Sequence, residues 1–331
     1  MSNYSLSSRA HMQGIQTAAR EHSMLGINLR QRIDIFRILR QKGIWVMFQP
    51  FDGPYGECLS VGDSLGILLN VKHPPNLQRF TAAHEYGHIV MQHVQQGPCI
   101  DHEEQISPQH RQIGGQELEA QTFAAYFLMP QELINATLQR FGLPYKPEKI
   151  TPLEVYQMSL EMGVSYAALV NHLAALKKVS QRAANILRRV QPKDIKARIA
   201  REASLQDSWA DVWTFHARDA GRTVFAHERD ELHIFLAEEP EGDLWEVAPA
   251  VATASVALIN IDLEMAMHTD EENSLAYLRH FSFRAHMPGF TSIQLYKRSR
   301  RQEIAEEVFT LHAHVLPKPA QGLLEQQKYA L

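Results

Sequence analysis

The sequence predicts an α+β chain in three parts. A mainly helical region with a small β-sheet spans residues 1–150, a helix-turn-helix-like segment spans 151–203, and a β-rich α+β region spans 204–331. Three observations carry this division. Apolar residues recur at helical spacing through most of the first half. Pro144, Pro147 and Pro152 then punctuate the chain. Beyond Trp209 the apolar period changes to two, the period of half-buried strands.

The bulk composition bounds the rest. A chain of 331 residues has room for two or three domains. With 45% hydrophobic and 21% charged residues it has the balance of a globular protein. A formal net charge of −4 excludes a global attraction to nucleic acid or membrane. Two cysteines, Cys58 and Cys99, are too few for a secreted disulfide framework. The first residues lack the apolar core of a signal peptide. The longest uncharged run, Val247 to Ile261, is short for a membrane span and carries Pro249 and Asn260. A cytoplasmic protein with no membrane partner is expected.

The elements follow in order. Residues 1–43 read mostly as helix, with Ile33, Phe36, Ile38 and Leu39 at apolar spacing and Gly43 as a stop. Ile44 to Phe48 reads as a strand, Asp52-Gly53-Pro54 as a turn and Gly66 to Val71 as a further strand. An exposed edge of this sheet would suit an extended peptide by strand addition. Pro74-Pro75 breaks the pattern, and Asn76 is the expected cap of the next helix. Residues 95–115 show no period and read as a loop. Helices are expected from Gln116 to Leu128 and from Pro130 to about Phe141. Leu153 to Met162, Gly163, the cap Ser165, and Tyr166 to Leu176 give the helix-turn-helix pattern. In the last third, Thr223 to His227 and Leu232 to Leu236 read as a hairpin. Phe281 to His286 and Thr291 to Tyr296 flank the turn signal Met287-Pro288-Gly289-Phe290, and Val308 to Val315 is one more strand.

The chemistry is concentrated at His84-Glu85-Tyr86-Gly87-His88. On a helix, residues four apart stack on one face, so His84 and His88 present both imidazoles to one point. That spacing supplies two nitrogen ligands to a tetrahedral Zn²⁺, with Glu85 placed to reach a metal-bound water. A catalytic zinc needs a third protein ligand. The downstream His-x-x-Gly-x-x-His spacing is absent, because His93 follows His88 by five residues. The other source is a Glu on a second helix. Glu117 and Glu119 lie two apart, on different faces, and the small residues beside Glu117 favour close helix packing there. Glu117 is the expected third ligand and Glu119 the runner-up. Tyr126 and His93 are candidates for oxyanion stabilisation.

Arg79-Phe80-Thr81-Ala82-Ala83-His84-Glu85-Tyr86-Gly87-His88, followed downstream by Glu117 to Pro130, resembles the ImmA/IrrE zinc metallopeptidases. The resemblance covers about residues 30–145, and the three-part layout is more loosely similar to the longer IrrE-type members. It implies a zincin-like fold of the gluzincin type. It makes one Zn²⁺ the cofactor, His84, His88 and Glu117 its ligands, and Glu85 the general base. It also implies a substrate: a helix-turn-helix repressor whose cleavage releases stress, DNA-damage, mobile-element or defence genes. The family usually has Asn where this chain has Gln121, a residue expected to orient a ligating His from behind. By position and element type alone, the C-terminal region resembles a GAF-like sensor.

Two further expectations concern control. Cys99 lies in the loop joining the two ligand-bearing helices, and a thiolate is a strong zinc ligand. It is therefore a candidate inhibitory fourth ligand that would hold the enzyme latent. Lys177 to Arg201 carries nine Lys/Arg against one acid. Lys177, Lys178, Arg182, Arg188 and Arg189 are the candidate contacts to single- or double-stranded DNA acting as an activating signal. The alternative reading is a DNA-binding transcriptional regulator with a non-catalytic or structural metal. In that reading Tyr166, Ala167, Asn171 and His172 would be exposed on the second helix, with no Arg to pair with guanine.

Overall fold

A computed structural model describes residues 3–62, 64–93, 99–100, 115–200, 210–238, 243–248, 255–265, 277–298, 305–319 and 321–324. The chain divides into two compact units, one of residues 1–190 with 319–331 and the other of residues 191–318. Among the described residues, no helix is long and apolar enough to cross a membrane.

The first unit opens with α1 (Asn3–Leu25) and α2 (Ile35–Gln41). Asp34 caps α2 by accepting from the Arg37 N–H, and Ile35, Ile38 and Leu39 are buried. Strands β1 (Trp45–Gln49), β2 (Gly56–Val61) and β3 (Ser64–Asn70) follow. They lie in a five-stranded sheet of order β13-β1-β3-β2-β4, closed at its two ends by the two-residue strands β13 (Gly322–Leu323) and β4 (Cys99–Ile100). β1 and β3 are parallel, while β2 pairs antiparallel with β3. Alternate residues Val46, Phe48, Ile67 and Leu69 are buried, as a strand period of two requires.

Helix α3 (Pro75–Val90) packs against β2 and β3 and is buried continuously from Gln78 to His88. It starts earlier than its sequence suggests. Pro74, in an extended conformation (φ −61°, ψ 151°), precedes the first turn, and no side chain caps it. Pro75 has no N–H to satisfy at the first helical position, so Asn76 is not needed as a cap. Helices α4 (Gly115–Leu128) and α5 (Gln131–Arg140) follow.

The helix-turn-helix pattern is present as α6 (Pro152–Met162) and α7 (Tyr166–Ala175). Thr151 and Glu154 form a capping box, Gly163 takes the left-handed conformation that ends α6 (φ 65°), and Ser165 caps α7. With α8 (Gln181–Leu187), these helices belong to the first unit. The Arg79 guanidinium donates to Gly163 O at 3.1 Å, and His172 Nε2 donates to Met129 O at 2.8 Å. The unit boundary thus falls inside the 151–203 segment, with α9 (Pro192–Ala200) in the second unit. Likewise 319–331 returns to the first unit, where the Leu324 N–H donates to Val46 O at 2.9 Å.

The second unit holds two four-stranded sheets, β5-β7-β10-β9 and β6-β12-β11-β8. The strands are β5 (Val212–His216), β6 (Arg222–His227), β7 (Glu231–Glu238), β8 (Leu244–Val247), β9 (Val256–Met265), β10 (Tyr277–Ala285), β11 (Gly289–Arg298) and β12 (Ala305–Leu316). One face of each sheet is buried and apolar. Leu232, Ile234, Leu236, Phe281 and Phe283 line the first, and Ile293, Leu295, Phe309, Leu311 and Val315 line the second. The region is β-rich as expected. Its described helical content is α9 and the 3₁₀ turn Ala217–Asp219.

The expected hairpin of Thr223–His227 with Leu232–Leu236 does not form. β6 pairs with β12, whereas β7 pairs with β5 and β10 in the other sheet. The connection is an arch rather than a tight turn. Arg229 takes a left-handed φ of 75°, and the buried Asp230 carboxylate accepts from the N–H groups of Asp211 and His227, each at 2.8 Å. β10 and β11 also enter different sheets. Period-two alternation fixes which face of a strand is buried but not which sheet receives the strand.

Candidate metal centre

Two helices build the site. At Gly87 on α3, an added Cβ would lie 2.9 Å from Phe123 Cδ1 and 3.3 Å from the Ala120 Cα of α4. The absent side chain lets the helix axes approach. Ala120, Phe123, Ala124 and Phe127 are all fully buried along this contact, and Tyr86 packs edge-on against Phe123 and Phe127. One turn before Ala120, the close approach carries Glu117 to His84 and His88.

The three side chains converge as the sequence predicts. His84 Nε2 and His88 Nε2 are 3.0 Å apart. Glu117 Oε2 is 3.3 Å from His84 Nε2, and Glu117 Oε1 is 3.5 Å from His88 Nε2. A tetrahedral zinc about 2.0–2.1 Å from each ligand has neighbouring ligand atoms about 3.3 Å apart. The donor set therefore fits a single Zn²⁺ in both chemistry and spacing. It is the one such group of three among the described residues. His84 and His88 are buried, and Glu117 is about one-sixth exposed.

Burial acts to raise the Glu117 carboxyl, but hydrogen bonds and charge from His84 and His88 outweigh it and hold that carboxyl well below the usual range. Glu117 is thus an anion at neutral pH, a charge that would offset that of a metal held there. Glu85, between the two histidines, is fully buried. Gln121 is half-buried one turn after Glu117 on α4.

Glu119, the alternative ligand, has a different partner. Its Oε2 lies 2.9 Å from His93 Nε2, and His93 Nδ1 lies 3.0 Å from His88 Nδ1. His93 is thereby turned to the back of the His88 imidazole. The cause is how α3 ends. Gln92 adopts a left-handed φ of 59°, and the His93 N–H reaches back to His88 O at 2.9 Å. A helix continued through His93 would have pointed that ring elsewhere, and no Gly marks the reversal. Only the five-residue spacing and a second Glu on α4 hinted at the pair. Tyr126 packs edge-on against His172, with ring centroids 4.8 Å apart, and burial raises its phenol.

The backbone of Cys99 pairs antiparallel with Cys58 on β2, while its thiol lies outside the described atoms. Cys58 is a buried free cysteine. Of the candidate nucleic-acid contacts, Lys177, Arg182, Arg188 and Arg189 are exposed. Lys178 is not: it is 3% exposed, donates to Asn135 Oδ1 at 2.6 Å and covers the Tyr145 ring. Arg188 donates to Asn171 and Asn185. Tyr166 and His172, expected on an outer surface, are buried, because α7 packs their side of the helix into the unit. The Tyr166 hydroxyl donates to Leu187 O at 3.0 Å.

Comparison with known proteins agrees with the site. Residues 39–173 match the IrrE N-terminal-like domain of the M78 peptidases. The radiation response metalloprotease IrrE of Deinococcus deserti is 34% identical over 109 residues, which make up 30% of this chain and 34% of that protein. The match thus spans about a third of the relative's length. Among solved structures, the cysteine protease inhibitor EhICP2 of Entamoeba histolytica is 14% identical, covers 32% of this chain and 97% of its own, and has a TM-score of 0.29. Amebosin is 17% identical, covers 32% and 98%, and has a TM-score of 0.27. Scores this low define no shared fold. The comparisons thus place an IrrE N-terminal-like domain at residues 39–173, the stretch that holds both motif-bearing helices.

Proposed function

We propose that the chain is a zinc-dependent endopeptidase that cleaves a helix-turn-helix repressor in the cytoplasm. Its cleavage would derepress stress, DNA-damage, mobile-element or defence genes. The observation that carries this reading is the convergence of His84, His88 and Glu117, whose ligand atoms all lie within 4.8 Å, beside a fully buried Glu85. A purely structural metal has no use for a buried carboxylate between its two histidines.

Zinc bound there would lower the pKa of its water and polarise the scissile carbonyl. His84 and His88 direct their Nε2 atoms to one point, and Glu117 closes the set as an anion. Glu85 takes the proton from the attacking water and delivers it to the leaving amine. The buried walls of α3 and α4 keep that proton transfer away from bulk solvent. The two-residue strand β4 pairs with β2 on the side of the sheet where an extended peptide would be sought. The reading includes a latent state in which Cys99 is the inhibitory fourth ligand, displaced before substrate enters.

The second unit is assigned the sensor role, and exposed Lys177, Arg182, Arg188 and Arg189 the contact with activating DNA. The alternative, a sequence-reading regulator, is disfavoured by the burial of Tyr166 and His172 on α7.

The test is incubation of the zinc-loaded protein with the repressor encoded beside it, with and without DNA. Cleavage by the wild type, and none by folded, zinc-binding Glu85→Gln or after chelation, supports the reading. Equal cleavage by Glu85→Gln would overturn it.

A further inference from the structure

Two polar contacts stand in line behind His88. Glu119 Oε2 stands 2.9 Å from His93 Nε2, and His93 Nδ1 stands 3.0 Å from His88 Nδ1. A carboxylate offers only acceptors, so the bond to Glu119 needs its hydrogen on His93 Nε2. A neutral His93 then carries a bare Nδ1, which is an acceptor. The contact between the two Nδ1 atoms needs one hydrogen, and His88 must supply it. With its hydrogen on Nδ1, His88 leaves Nε2 as a lone pair, and Nε2 is the atom that faces His84 and Glu117.

We propose that Glu119 and His93 are positioning residues that select the His88 tautomer able to bind metal. Reversing the middle bond shows what they prevent. If His93 donated from Nδ1, His88 would accept there and carry its hydrogen on Nε2, pointing a proton at the metal position. Neutral imidazole in water favours the Nε2–H form, so a ligand that binds through Nε2 gains from a partner that holds the other tautomer.

The geometry also gives the two acids on α4 separate tasks. Glu117 and Glu119 project from different faces of one helix. The first closes the ligand set directly, and the second acts on the same set from behind, through His93. Both depend on the α3–α4 contact at Gly87. His93 reaches its place only because Gln92 is left-handed.

The inference rests on the proposed zinc site, so its test separates the two. In metal-free protein labelled with ¹⁵N-histidine, the His88 ring correlations report which nitrogen carries hydrogen. Wild type is expected to show Nδ1–H, and Glu119→Ala a mixture shifted toward Nε2–H. Zinc affinity, measured by chelator competition, should weaken about 10–100-fold in Glu119→Ala and His93→Ala. His93→Gln should restore most of it, because its amide oxygen can only accept from His88. In the His93→Gln background, Glu119→Ala should cost nothing further. An unchanged His88 tautomer in Glu119→Ala would overturn the inference, as would a tenfold affinity loss from Glu119→Ala that persists beside His93→Gln. Wild-type protein that binds no zinc would instead overturn the metal site, while the tautomer measurement still decides this step.

Discussion

Gly87 and Ala120 face one another across the contact of α3 and α4 with no space for a side chain at Gly87, where a Cβ would come within 3.3 Å of the Ala120 Cα. His84, His88 and Glu117, the group that could hold a metal, sit on the two helices that this contact holds together. Gly87→Ala would gain helix propensity on α3, by about 1 kcal/mol. Overpacking against Phe123 and the α4 backbone should exceed that gain, at about 1–3 kcal/mol. The expected result is a lower melting temperature together with weaker zinc binding, since Glu117 moves with α4. Thermal melts and zinc titration of the variant check it. A variant with wild-type zinc affinity would show that the helices can part without moving Glu117.

His172 makes the first unit sensitive to acid. Burial, partly offset by its bond to Met129 O, lowers its pKa to about 4 from 6.5. The folded state thus favours the neutral ring. Its contribution is fully present above pH 6.5 and is lost as the pH falls from 6.5 toward 4, where the unfolded chain binds a proton that the folded chain resists. The full shift corresponds to roughly 3 kcal/mol. His172→Gln keeps an N–H for Met129 O and removes the titration. Urea midpoints of metal-free protein should therefore fall less steeply between pH 6.5 and 4 in the variant than in wild type. Parallel curves would sink the assignment.

The basic segment separates into two kinds of residue. Lys178 is buried on Asn135 and Tyr145, so Lys178→Ala should cost stability, on the order of 1–3 kcal/mol. Arg182 and Arg189 are exposed, and charge reversal there should leave the melting temperature within about 1 °C of wild type. If these arginines contact phosphates, each reversal should reduce the salt dependence of DNA binding by about one unit of slope. Fluorescence anisotropy with labelled single- and double-stranded DNA at several salt concentrations measures this. A slope that neither variant changes would remove DNA from this surface.

What the sequence made legible was local. His84 and His88 share a helical face, Glu117 lies beside small residues, and Gly163 with Ser165 marks a turn between helices. Each of these depends on spacing within one element. What stayed hidden depended on where the chain goes afterwards. Gln92 gave no sign of a left-handed turn because Gln rarely takes one, so only the five-residue spacing hinted at the return of His93 to His88. Lys178 reads as a surface charge until Asn135, 43 residues earlier, is known to receive it. β6 and β7 alternate as hairpin strands do, yet Asp230 sends them to separate sheets.

Asp230 supports a final prediction about that arch. Its carboxylate receives the Asp211 and His227 N–H groups and the Trp213 indole Nε1–H, the last at 3.3 Å. Its own backbone bonds Ala285 at the end of β10, so four strand ends meet at one residue. Burial and the Asp211 charge push its carboxyl up, and the three donors act in the opposite direction, so they offset part of the cost of burying it. Asp230→Ala would leave three donors without an acceptor, each costing about 1–3 kcal/mol where water cannot reach. Asp230→Asn keeps one acceptor oxygen and should lose less. The expected outcome is unfolding of the second unit at lower denaturant in the order Ala, Asn, wild type, followed by Trp213 and Trp245 fluorescence. Zinc binding by the first unit should persist through that transition, because His84, His88 and Glu117 all lie in the first. Loss of zinc in step with the tryptophan signal would show that the two units unfold as one.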